Sequence, residues 1–375
     1  MMFHLRAAVA ACICGFVAMS PALASESSPL PPLQQNGGTW DSGHVQGIAV
    51  DVKGGYIYYS FTNLLAKYDF SGKLIGTLHG WTGHLGDLDF NPADGKLYGS
   101  LEYGKERAFY IAVIDASRLD RVGVEAGKTE IFRTVYLPEV TEDFGADLDG
   151  DGTVDHRYGC SGIDGVGFGP AFGRVDGARY LTVAYGVYGD NDRDDNDHQV
   201  LLQYDVSGWS NYARPLDEAA LHRSGPRRMQ GKYFVRTGNT TWGVQNLSYD
   251  DSLHLWFMGV YRGKKPAFPN YSLFAVDGGK PPKRGDLFGV RNADGKGWEQ
   301  GRLLTLADGG LKDAATGVRG WNQKGDVGFQ PVGRGLFYIS ASSGGKGAQT
   351  SDLTLMRWTG DASQPFVAAT PEDIR

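Results

Sequence analysis

The side chains able to do acid–base work in this sequence fall at repeated offsets from five aliphatic centres, Ile48, Leu88, Val166, Leu247 and Val327. Four positions before the first two stand His44 and His84. One position before lie Asp87 and Asp326, and two positions before lie Gln46, Asp164 and Gln245, with Asn246 alongside. Carboxylates forced together raise one another's pKa, so an acid and a base can coexist at neutral pH. Cleavage of a glycosidic bond needs such a pair. The catalytic candidates are therefore Asp87, Asp164, Asp326, His44 and His84, joined by Glu102 in Ser100-Leu101-Glu102-Tyr103. For any one Asp, a bond to the strand-end amides of a neighbouring unit explains the residue equally well.

Aromatics gather at the same places. Trp40, Trp81, Trp242 and Trp321 precede four of the centres, and Tyr103 and Tyr261 close later runs of the second and fourth units. Indole and phenol rings offer a flat apolar face with a polar handle, which suits stacking on sugars. Packing between repeated units would use them as readily. With Gln245, Asn246 and Arg262 they form the expected substrate-binding set.

A third pattern is Asp147-x-Asp149-x-Asp151-Gly152-Thr153-x-Asp155. Oxygen ligands at alternate positions around a glycine turn suit a hard cation such as calcium. The nine residues resemble a calcium loop of the EF-hand or dockerin type, but Tyr158 stands where that loop carries its bidentate Glu. The expected ligands are Asp147, Asp149, Asp151, Thr153 and Asp155, in a stabilising role. The acidic run 190–197 is less patterned and reads as a solvated loop tip. Other chemistries lack their signatures: there is no G-x-S-x-G elbow, P-loop, H-E-x-x-H or paired C-x-x-C.

The elements that must position these residues follow from the repeat. Each centre sits in a period-2 alternation, such as Gln46-Gly47-Ile48-Ala49-Val50 or Gly86-Asp87-Leu88-Asp89-Phe90, and is followed by three more strand-like runs. Five units of four antiparallel strands describe an all-β, five-bladed β-propeller with its first strands around a central channel. Glycine, at 55 of 375 residues, is about twice its usual share, without the period of collagen. Part of that excess falls in the inner-strand motifs, where a missing side chain lets first strands approach closely. No helix is expected beyond a turn or two over Pro215–His222.

At the N-terminus, Arg6, the apolar run Ala7–Met19 and Ala22-Leu23-Ala24 have the layout of a secretory signal peptide cleaved after Ala24. Residues 25–38 read as a flexible leader, and 39–375 as one propeller domain. Cys12 and Cys14 fall within the signal, leaving Cys160 alone. A lone cysteine in an exported chain favours a bacterial periplasmic or secreted protein over a disulfide-built one, with Cys160 as a small buried residue. A net charge of −6 with no long basic run argues against nucleic acid, and no later apolar stretch is long enough to span a membrane.

This arrangement resembles the five-bladed propeller glycoside hydrolases of the arabinanase and xylosidase type. The resemblance is architectural and rests on no diagnostic motif. It implies that Asp87, Asp164 and Asp326 divide the roles of base, acid and pKa modulator. That family takes a Glu as proton donor, and here no Glu lies on a first strand; Glu102 sits on a second one. A secreted glycoside hydrolase acting on a poly- or oligosaccharide is the leading expectation. A lyase on uronate-containing glycans, with His44, His84 or Tyr103 as base, and a non-catalytic carbohydrate-binding propeller are the alternatives.

Overall fold

The structure, a computed structural model, describes residues 29–375. The expected signal peptide, with Cys12 and Cys14, and the start of the leader lie outside the described residues. The described chain is a five-bladed β-propeller. Its inner strands are Val45–Asp51, His84–Asn91, Cys160–Pro170, Thr241–Asp250 and Phe329–Gly333, each packing against the inner strands of the neighbouring blades. Leu88, Val166, Leu247 and Ile48 are fully or almost fully buried, as their place in the alternation requires. Val327 differs: the fifth inner strand begins two residues later, at Phe329.

Five apolar clusters hold the ring together, one at each blade-to-blade interface. Three of the loop tryptophans belong to them. Trp81 stacks on Phe132 between blades one and two, Trp321 meets Trp358 between blades four and five, and Trp40 packs beside the blade five to one cluster. Packing between blades therefore claims these three.

The long connections explain the uneven spacing of the repeat. Within blade two, the segment between the third and fourth strands carries Val124–Glu125, which pairs with the outer strand of blade one. In blade three the same connection carries Arg214–Pro215, which pairs with the outer strand of blade two. In blade four it carries a hairpin, Lys283–Arg291 and Trp298–Leu303, which extends blade three through Phe234 and Leu303. In blade five, Asp361 accepts a bond from the Trp321 indole at the edge of blade four, 3.1 Å away. Each connection thus covers the exposed edge of the blade before it, where unpaired strand groups would otherwise face solvent.

Blade one turns directly from its third strand to its fourth, and the edge of blade five is covered by the chain termini instead. Gln34–Trp40 and Phe366–Ala368 pair with successive stretches of the strand Ala348–Trp358. Residues 34–38, expected in a flexible leader, are therefore part of a strand. The fourth strand expected in blade four at 301–306 also changes partner: Trp298–Leu303 joins blade three, and only a bridge from Leu306 to Val276 remains. Pro215–His222 contains no helix, whereas Pro138–Phe144 forms one, started by Pro138 and ended at Gly145. Among the described residues, no helix is long and apolar enough to cross a membrane.

Candidate functional site at the propeller mouth

In four inner strands the ladder breaks at the same place, three residues before the central aliphatic. The register shifts between Val45 and Gly47, Leu85 and Leu88, Ile163 and Val166, and Val244 and Asn246. A bulge adds a residue to one strand and re-aims the side chains beside it. The bulged positions carry Gln46, Asp164 and Gln245, and all three line one cavity of about 380 Å³. In blade two the same position is Gly86, where a side chain would collide with the Asp164 carboxylate and the Ser100 hydroxyl.

The remaining lining comes from His44, His84, Glu102, Ser161, Ile163, Gly186, Trp242 and Tyr261. Glu102 reaches the cavity from the second strand of blade two and accepts a bond from the Ile163 amide at 3.3 Å. Its seat depends on Gly162, since any side chain there would overlap the carboxylate. His84 Nδ1 lies 3.9 Å from Glu102 Oε1. His44 Nε2 and the Tyr261 hydroxyl are 3.1 Å apart, so blades one and four touch across the place of blade five.

Loss of solvent sets the ionisation of this group. Burial pushes the Glu102 carboxyl up to about 7. Burial, then the neighbouring Glu102 charge, holds Asp164 well above the usual carboxylate range, and Asp164 Oδ1 is buried without a hydrogen-bond partner. Burial lowers His84 to about 4, and His44 is also held below its ordinary value, partly offset by Asp326. The imidazoles are thus neutral at physiological pH, and no Lys or Arg lines the cavity.

Trp242 is the one exposed tryptophan of the expected set, with 53% of its surface accessible at the rim. Its φ of +66° is costly for a bulky residue. The Gln245 side-chain amide donates to its carbonyl at 2.9 Å and pins that conformation.

Asp87 and Asn246 take a different position from the one expected. Asp87 Oδ2 accepts the Val166 amide at 3.0 Å and the Leu247 amide at 2.9 Å, while Oδ1 accepts Asn246 Nδ2 at 3.1 Å. Asn246 Nδ2 also donates to the Gln46 carbonyl at 2.8 Å, and its Oδ1 accepts the Gly328 amide. One carboxylate and one amide therefore join all five blades on the axis, buried and outside the cavity lining. Asp89, raised by burial to about 6, forms a second layer with Phe168 and Gln330. These contacts make Asp87 and Asn246 structural, a correction to their expected roles in catalysis and binding.

Trp40, Trp81 and Trp321 likewise leave the substrate-binding set for the blade interfaces. Tyr103 points away from the cavity, its hydroxyl donating to Glu218 at 2.6 Å. Arg262 is exposed and donates to the Asn270 carbonyl at 2.7 Å. Asp326 does not line the cavity, but one of its oxygens is buried without a partner beside His44 and Tyr261. Ser161, Ile163 and Gly186 are lining residues that the sequence did not signal, because no charge or aromatic ring marks them.

Oxygens of Asp147, Asp149 and Asp151 lie within 4.8 Å of one another on an exposed turn. Asp147 accepts the Gly150 and Gly152 amides, and Asp155 accepts the Leu148 amide at 2.5 Å. In the run 190–197, Asp190, Asn191, Asp192 and Asp194 are exposed, as expected of a solvated tip, while the buried Lys265 ammonium donates to Asn196 Oδ1 at 2.7 Å and Asp197 Oδ1 at 2.5 Å. Cys160 is free and buried, which raises its thiol pKa and leaves it unreactive.

No protein-family model and no curated protein matches the sequence. Among solved structures, Sqt1 of Saccharomyces cerevisiae is similar at 11% identity and a TM-score of 0.32, over 84% of this chain and 59% of that one. The Dos1 propeller is similar at 9% identity and a TM-score of 0.31, over 88% and 85% of the two chains. The chain thus spans about three fifths of the length of the Sqt1 chain. Neither likeness bears on the site.

Proposed function

We propose that the protein is an exported glycoside hydrolase with Glu102 as proton donor and Asp164 as its anionic partner. The observation that carries this reading is the pair of desolvated carboxylates in one cavity, both shifted upward and coupled by charge. Like charges at close quarters do not both ionise, so near neutrality one proton is held between them. Asp164 is the more deeply buried and its Oδ1 has no donor, so the shared proton rests mainly there; Glu102, more accessible and facing the cavity, is the acid in the tautomer that carries the proton on Glu102 and leaves Asp164 anionic. In the reaction the glycosidic C–O bond breaks as Glu102 gives its proton to the leaving oxygen. One water supplies hydroxide to the anomeric carbon and passes its other proton to the Asp164 carboxylate. Transfer of the proton back to Glu102 through solvent resets the pair.

The expected set of three inner-strand Asp thereby becomes one Asp and one second-strand Glu. A uronate lyase fits less well, because no Lys or Arg lines the cavity to meet the substrate carboxylate. The test is sugar release from a glycan panel by the wild type, Glu102→Gln and Asp164→Asn. Glu102→Gln is expected to lose about 10²- to 10⁴-fold in kcat. Wild-type activity should fall as pH rises into the range where the pair gives up its shared proton, above the ordinary carboxylate values because burial raises both groups. Undiminished activity in both variants would exclude the assignment. We further propose that loop 147–155 binds calcium through Asp147, Asp149 and Asp151, with Thr153 and Asp155 in support, as a stabilising ion.

A further inference from the structure

We infer that the outer edge of blade three carries a second binding site, an arginine-lined cleft that grips the acid groups of an anionic polysaccharide. The site shares no lining residue with the mouth cavity and stands apart from the hydrolase reading. Three observations carry it: a gap in the sheet, uncompensated positive charge beside the gap, and the chemistry of the lining.

The gap follows from a pairing that stops after one residue. The strand Gly231–Arg236 and the hairpin strand Trp298–Leu303 run parallel, but only Phe234 and Leu303 are in register. Gly301 packs so closely on the Phe234 ring that a Cβ there would lie 2.8 Å from it. Before that point the strands part, and residues 231–234 and 299–302 face each other across an open cleft of about 880 Å³. The ions at its base are already matched. Lys232 is taken up by Glu139 and Asp143, and Glu299 by Arg157 and the Tyr158 hydroxyl.

The arginines above them are not matched. Arg284 stands directly opposite Arg302 in the hairpin, a position where like charges oppose strand pairing. Both are exposed, and neither belongs to any ion pair among the described residues. Asp286, the acid on the same face, is engaged by the Gln300 amide. Arg227 and Arg228, also exposed and outside any ion pair among the described residues, line an adjoining cleft of about 460 Å³ that meets the first at Met229. Glu142 is the one acid of the two linings that is likewise unpaired. On a chain of net charge −6, four such guanidinium groups at one blade edge mark a surface for anions.

A planar guanidinium fork matches the two oxygens of a carboxylate and holds them with parallel hydrogen bonds. Arg302 lies over the Tyr233 ring, 5.9 Å from its centroid, which supports the plane and leaves the N–H edge to a ligand. Tyr233 and Phe172 add ring faces and Gln230 an amide, groups that suit sugar rings and hydroxyls. The mouth cavity, with its carboxylate pair and no Lys or Arg, opposes the same acid groups. The cleft therefore anchors the protein to an acidic polymer without presenting that polymer for reaction.

The experiment measures binding of the full mature chain to polygalacturonate, neutral galactan and single-stranded DNA by affinity electrophoresis. Polygalacturonate is expected to bind, and to weaken about tenfold or more between roughly 50 and 500 mM salt, while galactan and DNA do not bind. Arg284→Gln/Arg302→Gln and Arg227→Gln/Arg228→Gln should each weaken binding about tenfold or more at the lower salt. Arg118→Gln/Arg121→Gln, the same charge change on an exposed loop elsewhere, should leave it unchanged. Relief of the Arg284–Arg302 repulsion should keep the melting temperature of the first variant at or above that of the wild type, which separates lost binding from lost folding. Wild-type affinity in both cleft variants, an equal loss in Arg118→Gln/Arg121→Gln, or no binding of polygalacturonate at the lower salt would overturn the inference. Binding of galactan or DNA as tight as that of polygalacturonate would overturn it as well.

Discussion

At the residue scale, two aspartates one position apart in the repeat have opposite environments. Asp164 sits in a bulge with one oxygen unpartnered, whereas both oxygens of Asp87 are engaged by buried donors from other blades. The first arrangement leaves a carboxylate available for chemistry, and the second consumes it as a structural acceptor. Asp87→Ala would leave the Val166 and Leu247 amides buried without partners. At about 1–3 kcal/mol for each orphaned group, a loss of roughly 2–6 kcal/mol in unfolding free energy is expected from denaturant titration. A variant as stable as the wild type, with only its activity reduced, would return Asp87 to a catalytic role. The sequence could not separate the two residues, because an Asp near a strand start looks the same whichever partner it meets.

At the element scale, the bulge and the edge-covering connections organise the molecule. Period-2 alternation made the inner strands legible, and with them the buried centres and the shared register of His44 and His84. The bulge was not legible, because it breaks that alternation and is defined by a partner strand distant in sequence. The long connections were legible as lengths but not as neighbours. Nothing in Val124–Glu125 or Arg214–Pro215 names the edge each one covers. The acidic loop is the element whose chemistry can be read locally, since its ligands lie within nine residues. Calcium at 100 times its dissociation constant should stabilise the fold by about 2.7 kcal/mol if the loop binds it only when folded. Thermal melting in calcium and in chelator should therefore differ for the wild type, and the difference should vanish in Asp147→Asn/Asp151→Asn. Equal melting of the wild type in both conditions would remove calcium from the account.

At the scale of the whole molecule, closure of the ring depends on residues more than 300 positions apart, with Gln34 opposite Thr354 and Trp40 opposite Gln349. Removing residues 29–40 would expose the edge of blade five and break a cooperative circle. With about 0.5–1.5 kcal/mol for each ladder hydrogen bond, a loss on the order of 5 kcal/mol is expected, seen as a lower melting temperature and stronger aggregation. An unchanged melting curve would show that Phe366–Ala368 closes the ring alone. Such a pairing has no local signature, which is why residues 34–38 read as a leader. The sequence by itself determined the five units, their strand period and the residue types at the mouth, since these follow from side-chain alternation and turn chemistry over a few residues. Which carboxylates face the cavity, which tryptophans pack between blades and how the circle closes were decided only by the tertiary structure. Each of those outcomes depends on a bulge or a hydrogen-bond partner supplied by chain far away.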